Sequence, residues 1–251
     1  MKTSLAQPRS AAEIPPTNVS QNELLACLPL MVRARWAFHL EYVDLVQGQV
    51  LQEINQRIPH IYFPVTAVVA QLYALENGES AGSALIGCKG MVGFPVILGG
   101  EYTSSRAVVL IAGRAWRMQA DFLRQEVLSV KPVLHLMLRF LQAMMTQINQ
   151  TAVCNRHHST VQQLCRWLLL VSERLRTCDL SITQEVLANT LGVRRESVTV
   201  AAGQLQRAGL IRCRRGRLTI LDREGIQLSA CECYQVVRQE YARLLPYREA
   251  T

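Results

Sequence analysis

The chain has 251 residues, of which 49% are hydrophobic and 18% charged, a composition that is typical of a globular protein and excludes a disordered one. The formal net charge of +8 indicates an anionic partner without specifying it. No apolar run approaches the roughly 18 residues of a membrane span, and the eight cysteines follow no secretory signal. We therefore expect a cytoplasmic protein with reduced thiols and no membrane partner.

The N-terminal half predicts a leader followed by a β-rich domain. Residues 1–20 are polar and contain Pro15-Pro16, so we expect a flexible leader. Residues 21–130 begin with a short helical pattern and then become rich in Val, Ile, Tyr and Phe, with turn residues at intervals. Asn77-Gly78 is the clearest hairpin turn among them. The segment predicts a β-barrel closed in the jelly-roll manner.

A long helix is predicted over residues 131–157, because apolar residues recur there at alternating spacings of four and three. Pro132 suits the first turn of such a helix. This spacing favours a helix that pairs with its copy in a homodimer, and the alternative is a single helix packed on its own domain. The predicted dimer seam consists of Leu134, Leu138, Leu141, Met145, Ile148 and Ala152.

Residues 158–251 contain the strongest functional pattern of the chain, a helix-turn-helix. Thr183 is a candidate N-cap for its short first helix. The core of the motif is predicted from spacing: Ala188 is small enough for a helix crossing, Gly192 can take positive φ in the turn, and Val198 plugs the second helix into the first.

The second helix is predicted to begin near Arg194 and to run to about Ala208, and this helix and the segment after it are strongly basic. Residues 210–220 predict two short strands with Gly216 at the bend, which together form a wing. In such a motif the first turn of the second helix faces base edges, and a basic wing neutralises phosphates. The predicted DNA-binding residues are Arg194, Arg195, Glu196, Ser197, Thr199, Gln204, Arg207, Arg212, Arg214, Arg215 and Arg217. The alternative is a helical hairpin in a core, followed by a solvated basic loop.

The order of these parts resembles the Crp/Fnr family of regulators over about residues 22–234. The most similar stretch runs from Ile182-Thr183-Gln184-Glu185 to Leu191-Gly192-Val193-Arg194-Arg195-Glu196-Ser197-Val198, and it keeps the family's Gly-x-x-Arg-Glu-[Ser/Thr]-Val pattern intact. The resemblance implies an α+β fold with an N-terminal jelly-roll-type sensor barrel (cyclic-nucleotide-binding-like), a dimerisation helix and a C-terminal winged helix-turn-helix. It also implies that Arg195 and Glu196 read bases, whereas Val200 stands where the family's cyclic-AMP receptor has a third reader, an Arg.

The barrel half resembles the family's cyclic-nucleotide-binding fold through Ile61-Tyr62-Phe63-Pro64 and Gly90-Met91-Val92-Gly93. The effector pocket implied by this resemblance contains Gly90, Met91, Arg106 and Ala107. Arg106 falls at the family's phosphate-pairing Arg, but Met91 replaces the ribose-binding Glu and Ala107 replaces a Ser or Thr. We therefore expect weak or no binding of cyclic nucleotides, and Arg106 could instead form a structural ion pair.

No cofactor and no metal are expected. The oxygen-sensing branch of the family carries an N-terminal cysteine cluster for an iron–sulfur centre, and only Cys27 lies in that region. Cys154, His157 and His158 have loose metal spacing without a nearby cysteine pair. Cys231 and Cys233 are expected to point in different directions on one terminal helix, which favours packing over a shared metal. Candidate axial haem ligands are expected to be packing residues: His39, His60, Cys88 and His135.

Two hypotheses of function remain. The first is a transcription regulator in which an unknown effector binds the barrel and shifts the chain between two states. The second is a DNA-binding or architectural protein without a ligand, because Met91 and Ala107 leave the barrel degenerate. The expected partners are double-stranded DNA, a second copy of the chain, RNA polymerase and a small-molecule effector. No P-loop, nucleophile elbow or other catalytic motif indicates an enzyme.

Overall fold

The computed structural model describes residues 19–76 and 80–246. Most of the predicted leader and the Asn77-Gly78 turn therefore lie outside the described residues. The described part of the leader, Val19 and Ser20, belongs to a 3-10 helix that ends at Gln21. Antiparallel sheets precede long helices, and a small sheet lies within the C-terminal helices, so the predicted α+β class is confirmed.

The N-terminal domain is built from two antiparallel sheets that follow two short helices. The elements are α1 (Glu23–Ala26), α2 (Leu30–Ala37), β1 (Glu41–Leu45), β2 (Val50–Gln52), β3 (His60–Pro64), β4 (Val68–Ala74), β5 (Ser80–Ile86), β6 (Arg106–Ile111) and β7 (Gly113–Gln119). The sheets have the strand orders β1-β7-β3 and β2-β6-β4-β5. Both sheets contribute to a shared core that contains Phe63, Val109 and Trp116.

Two helices with a sharp bend between them leave the barrel. Val130 follows α3 (Ala120–Ser129) as its C-cap, and α4 (Lys131–His157) begins directly after it with Pro132 in its first turn. The axes of the two helices differ by 110°. One face of α4 packs on the barrel through Phe140. The buried residues of α4 recur every three or four positions, as expected for a helix that turns one face to a core. No single described helix is long and apolar enough to cross a membrane; by length and composition only, the bent α3–α4 pair passes such a test.

The C-terminal domain surrounds a three-stranded sheet with helices. The elements are α5 (Thr160–Leu175), β8 (Asp179–Ser181), α6 (Gln184–Leu191), α7 (Arg195–Arg207), β9 (Ile211–Arg214), β10 (Arg217–Ile220), α8 (Arg223–Ser229) and α9 (Cys233–Leu244). The strands have the order β8-β10-β9. Ser159 caps α5 in a reciprocal capping box with Gln162, which fixes a break of two residues after α4.

The last described helix, α9, contacts the long helix α4. Helix α9 packs along α4, where Gln142 donates a hydrogen bond to Glu240. The prediction of one terminal helix through Cys231 and Cys233 is wrong. Asp222 caps α8, which ends at Ser229, and only Cys233 lies within α9. The extended conformation of Ala230 separates the two helices.

Candidate nucleic-acid interface

The helix-turn-helix is formed by α6 and α7. The Thr183 hydroxyl accepts a hydrogen bond from the amide of Val186 at 3.3 Å and thereby caps α6. Helix α6 ends at Gly192, whose φ of +67° lies in the left-handed region that glycine adopts without steric cost. Ala188 and Val198 are buried where the two helices meet. The structure thus places all three predicted core residues within the motif.

Helix α7 separates a buried face from an exposed one. Val198, Ala202 and Leu205 face the domain core, while Arg195 and Glu196 in its first turn are exposed to solvent. Arg194 is the N-cap of α7 and not a residue of its first turn, which corrects the predicted start of the helix by one position. The remaining predicted residues of this helix are half-buried at Ser197 and exposed at Thr199, Gln204 and Arg207.

Sequence reasoning missed a contact between the two helices of the motif. The Thr199 hydroxyl lies 2.9 Å from the side-chain oxygen of Gln184 and 3.0 Å from the carbonyl oxygen of Arg195. Gln184 is the first residue of α6, so its amide lies beside the first turns of α7. The hydroxyl of Thr199 therefore links the start of α6 to the exposed face of α7.

The wing is a two-residue hairpin. Arg215 and Gly216 connect β9 to β10 with φ values of 46° and 76°, the pattern of a type I′ turn. Across the hairpin, Arg214 pairs with Arg217 and Arg212 pairs with Thr219. Like charges directly opposite in an antiparallel pair destabilise a sheet, so this pairing has no benefit for folding.

Seven arginines around the helix-turn-helix and wing form a set that we call the interface arginines. All are exposed, and within the described part of the chain none has a carboxylate oxygen within 4.0 Å. Elsewhere the described residues form ion pairs in the barrel and along the long helices. The interface arginines are Arg194, Arg195, Arg207, Arg212, Arg214, Arg215 and Arg217. Their unneutralised charges create a positive surface that attracts anions.

The structure separates the residues of the implied effector pocket. The Arg106 guanidinium lies on the surface and forms a bidentate ion pair with Glu53, at 3.0 and 2.6 Å. This hydrogen-bonded pair lowers the pKa of the Glu53 carboxyl. Met91 and Ala107 are fully buried and contribute no polar group. The Glu53 partner lies 53 positions away from Arg106, so no local sequence signal could have revealed it.

Polar groups do lie inside the barrel, at positions that sequence reasoning did not select. Gln52 on β2 and Gln71 on β4 both pair with Ala107 on the intervening strand β6, so their side chains share one face of the sheet. Both glutamines are buried. The Gln71 amide donates to the hydroxyl of Ser105, whereas both amide atoms of Gln52 lack a hydrogen-bond partner among the described residues.

The predicted dimer seam lies along the side of α4 that faces away from the barrel. Leu138 and Met145 are 49% and 62% exposed, and Ala152 is exposed as well. Leu134 and Ile148 are half-buried. Leu141 differs from the others because it is only 7% exposed and packs within its own chain. An α-helix has 3.6 residues per turn, whereas the spacing of the seam has a period of 3.5. The seam therefore drifts around the helix, and Leu141 lies at the border between the buried and the exposed face of α4.

Comparison with known proteins identifies the family of the helix-turn-helix region. Residues 162–228 match the Crp-like helix-turn-helix domain family. No curated protein matches the chain.

Solved structures share the fold of this chain, including the following three. A Crp/Fnr family transcriptional regulator from Eubacterium rectale is 17% identical with a TM-score of 0.62, over 80% of this chain and 94% of that chain. FixK2 from Bradyrhizobium japonicum is 14% identical with a TM-score of 0.64, over 76% and 98%. The c-di-GMP responsive global regulator CLP from Xanthomonas campestris is 13% identical with a TM-score of 0.62, over 76% and 99%.

An N-terminal barrel, a long helix and a winged helix-turn-helix follow one another in this chain, and this order is the architecture of the solved structures that it resembles. The chain has the Crp/Fnr fold, with a cyclic-nucleotide-binding-like barrel and a Crp-like helix-turn-helix domain. The predicted resemblance is therefore confirmed for the fold.

Proposed function

We propose that the chain binds double-stranded DNA in a sequence-specific manner as a homodimer and regulates transcription. The observation that carries this proposal is the set of interface arginines, which are exposed and lack carboxylate partners among the described residues. The facing charges of Arg214 and Arg217 oppose folding, which favours a role in binding phosphates.

Helix α7 supplies the residues for reading bases. Its N-terminal turn presents Arg195 and Glu196 to solvent, and the N-terminal residues of a recognition helix are the ones that contact base edges in the major groove. An arginine side chain can bind guanine O6 and N7 together, and a glutamate can accept from cytosine N4. Gln204 and Arg207 lie farther along the helix and would contact the backbone, as would the arginines of the wing.

A second copy of the chain is the proposed partner of α4. The exposed side chains of Leu138 and Met145 form an apolar stripe that a symmetric copy would cover. Such a dimer places two recognition helices on one duplex, so that its operator has two-fold symmetry with half-sites about one helical turn apart. RNA polymerase is the proposed further partner of the DNA-bound dimer.

The barrel is proposed to receive a signal other than a cyclic nucleotide. The charge of Arg106 is already matched by Glu53, and buried Met91 and Ala107 offer no donor or acceptor to a ribose or a phosphate. The buried amide of Gln52, which has no partner among the described residues, favours a ligand that forms hydrogen bonds. The second candidate, a ligand-independent DNA-binding or architectural protein, is supported by the same loss of nucleotide-binding groups.

The test of DNA binding is selection of duplexes from a random pool by the purified full-length chain. We expect a two-fold-symmetric motif with half-sites about one turn apart. Enrichment of no motif, together with salt-sensitive binding to all sequences, would contradict sequence-specific regulation and support the architectural alternative.

A thermal-shift screen separates the effector hypothesis from the architectural one. A ligand of the barrel raises the melting temperature of the wild type, because it binds the folded state only. Gln52→Leu should remove that shift. Cyclic AMP and cyclic GMP should leave the melting temperature unchanged, and a shift with either of them would refute the expectation from Met91 and Ala107.

A further inference from the structure

Four potential metal ligands converge at the C-terminal end of α4. Cys154 lies in the last turn of α4, and His158 is the C-cap of that helix. Cys231 and Cys233 lie on either side of Glu232, the N-cap of α9. One ligand atom from each of the four side chains lies within 4.8 Å of each of the others. These residues belong to neither the DNA-binding surface nor the barrel interior.

The distances among these atoms suit a tetrahedral centre. The Sγ atoms of Cys154 and Cys231 are 3.6 Å apart, and the Sγ of Cys233 lies 3.6 Å from Nδ1 of His158. In a tetrahedral zinc site with Zn–S bonds of about 2.3 Å and Zn–N bonds of about 2.0–2.1 Å, neighbouring ligand atoms lie roughly 3.5–3.8 Å apart. Two of the six pairs of ligand atoms therefore already have the spacing that a bound Zn²⁺ requires, and the other pairs lie within 4.8 Å.

The three thiols of the cluster are closed to solvent, and His158 is half-buried beside them. Cys154, Cys231 and Cys233 are each at most 5% exposed, and the three thiols form a small buried cluster apart from the main core. Four protein ligands fill a tetrahedral coordination sphere and leave no position for water or substrate. This arrangement is typical of a structural site and not of a catalytic one.

Neighbouring polar groups support the binding of a metal. Nε2 of His158 lies 3.4 Å from a carboxylate oxygen of Glu232, which leaves Nδ1 to face the thiols. A metal-bound histidine characteristically donates its other ring N–H to a carboxylate, which fixes its tautomer and orientation. The short segment that supplies two thiols thus also supplies the orienting carboxylate.

A buried cation matches the charge of the proposed centre. Zn²⁺ with three thiolates and a neutral histidine has a net charge of −1. Arg166 is only 4% exposed and interacts electrostatically with Cys154 and Cys233. One of its terminal nitrogens donates to the Thr151 hydroxyl at 3.2 Å, while its Nε has no partner among the described residues. A buried guanidinium is costly unless an anion balances it, and a thiolate–zinc centre would be that anion.

We propose that Cys154, His158, Cys231 and Cys233 form a closed, four-coordinate Zn²⁺ site that joins the end of α4 to the segment between α8 and α9. Binding replaces the protons of the three thiols with the metal, so that affinity falls as the pH decreases. The centre also lies beside the short break between α4 and α5, through which the DNA-binding domain continues from the long helix. The metal would therefore fix the position of this domain on α4.

The first test is the metal content of the full chain. The protein is reduced with a phosphine, loaded with ZnCl₂ and desalted, and its zinc content is then measured by elemental mass spectrometry. We expect one zinc per chain. Loading with Co²⁺ should give the visible absorption of a tetrahedral centre and a near-ultraviolet charge-transfer band from thiolate ligands. Failure of the folded wild type to retain either metal would overturn the proposal without bearing on DNA binding.

Neighbouring residues provide matched variants. His158→Ala and Cys233→Ser should weaken zinc binding at least tenfold in competition with a chelator, whereas His157→Ala and Cys213→Ser should not change it. His157 is exposed at the end of α4, and Cys213 lies in the wing. Equal zinc affinity of His157→Ala and His158→Ala would overturn the assigned ligand. If a ligand variant does not fold, the cobalt spectrum of the wild type still decides between a thiolate centre and none.

Discussion

The barrel and the DNA-binding domain differ in how their surface arginines are neutralised. In the barrel, Arg106 pairs with Glu53 and Arg117 pairs with Glu41, each at 2.6 Å. Around the helix-turn-helix, the interface arginines have no carboxylate within 4.0 Å among the described residues. An ion pair cancels the field of both partners, whereas an unpaired arginine keeps its field for a phosphate. The charge of a surface arginine is therefore neutralised at these positions of the barrel and left unneutralised at the interface arginines.

The proposed dimer would bring two sets of interface arginines onto one duplex, so its disruption should have the largest effect on DNA binding. Leu138→Asp combined with Met145→Asp places charges on the exposed stripe of α4 without disturbing the core. We expect monomers in sedimentation experiments and a loss of operator affinity on the order of a thousandfold, because only one half-site remains bound at a time.

A matched control introduces the same charge away from the stripe. Leu128 in α3 is 83% exposed, so Leu128→Asp should leave the dimer and the affinity unchanged. An intact dimer in the double variant would place the interface elsewhere. Leu141→Asp is unsuitable for this purpose, because Leu141 is buried and its replacement would destabilise the chain itself.

Removal of Arg195, the arginine that we propose to read a base, should have the next largest effect. Arg195→Ala should reduce affinity for the selected operator by about 1–3 kcal/mol and relax the preference at one base pair in each half-site. Binding to random DNA should change much less. A uniform loss on both kinds of DNA, measured by fluorescence anisotropy, would instead assign Arg195 to the phosphates.

Arg214→Ala should sharpen the contrast from the opposite direction. The variant should weaken binding to all sequences alike and lower the salt slope of log K by about one unit. It should also raise the stability of the domain slightly, by roughly 0.2–1 kcal/mol, because Arg214 no longer faces Arg217 across the hairpin. An unchanged salt slope in titrations at several salt concentrations would exclude a phosphate contact.

Arg106→Ala should have the smallest effect, limited to the barrel. DNA affinity and its salt slope should not change, and exposed ion pairs contribute only about 0–1 kcal/mol to stability. Because Arg106 lowers the pKa of Glu53, the stabilisation is present at neutral pH and is lost as the pH falls through that lowered value. The melting temperatures of wild type and variant should therefore converge in acid. A difference that persists there would show that Arg106 acts through packing.

Features that depend on neighbouring residues were predictable from the sequence. The turn at Gly192 and the bend at Gly216 were both predicted, because a positive φ is a local requirement that glycine satisfies. The outward stripe of α4 was also predictable from its period, apart from Leu141. The start of α7 was placed one residue early, since Arg194 has an extended backbone but no capping side chain to mark it.

The sequence by itself determined the order of the parts, the helix-turn-helix and the basic wing, because each follows from spacing within about thirty residues. Only the tertiary structure decided which distant groups meet. It brought Glu53 to Arg106, buried two glutamines inside the barrel, and gathered Cys154 and His158 with Cys231 and Cys233 from 73 or more positions away. Cys231 and Cys233 illustrate the physical reason. Helix α8 ends before Cys231 and α9 begins at Cys233, so the break between the two helices changes the directions of the thiols from those that one continuous helix would give.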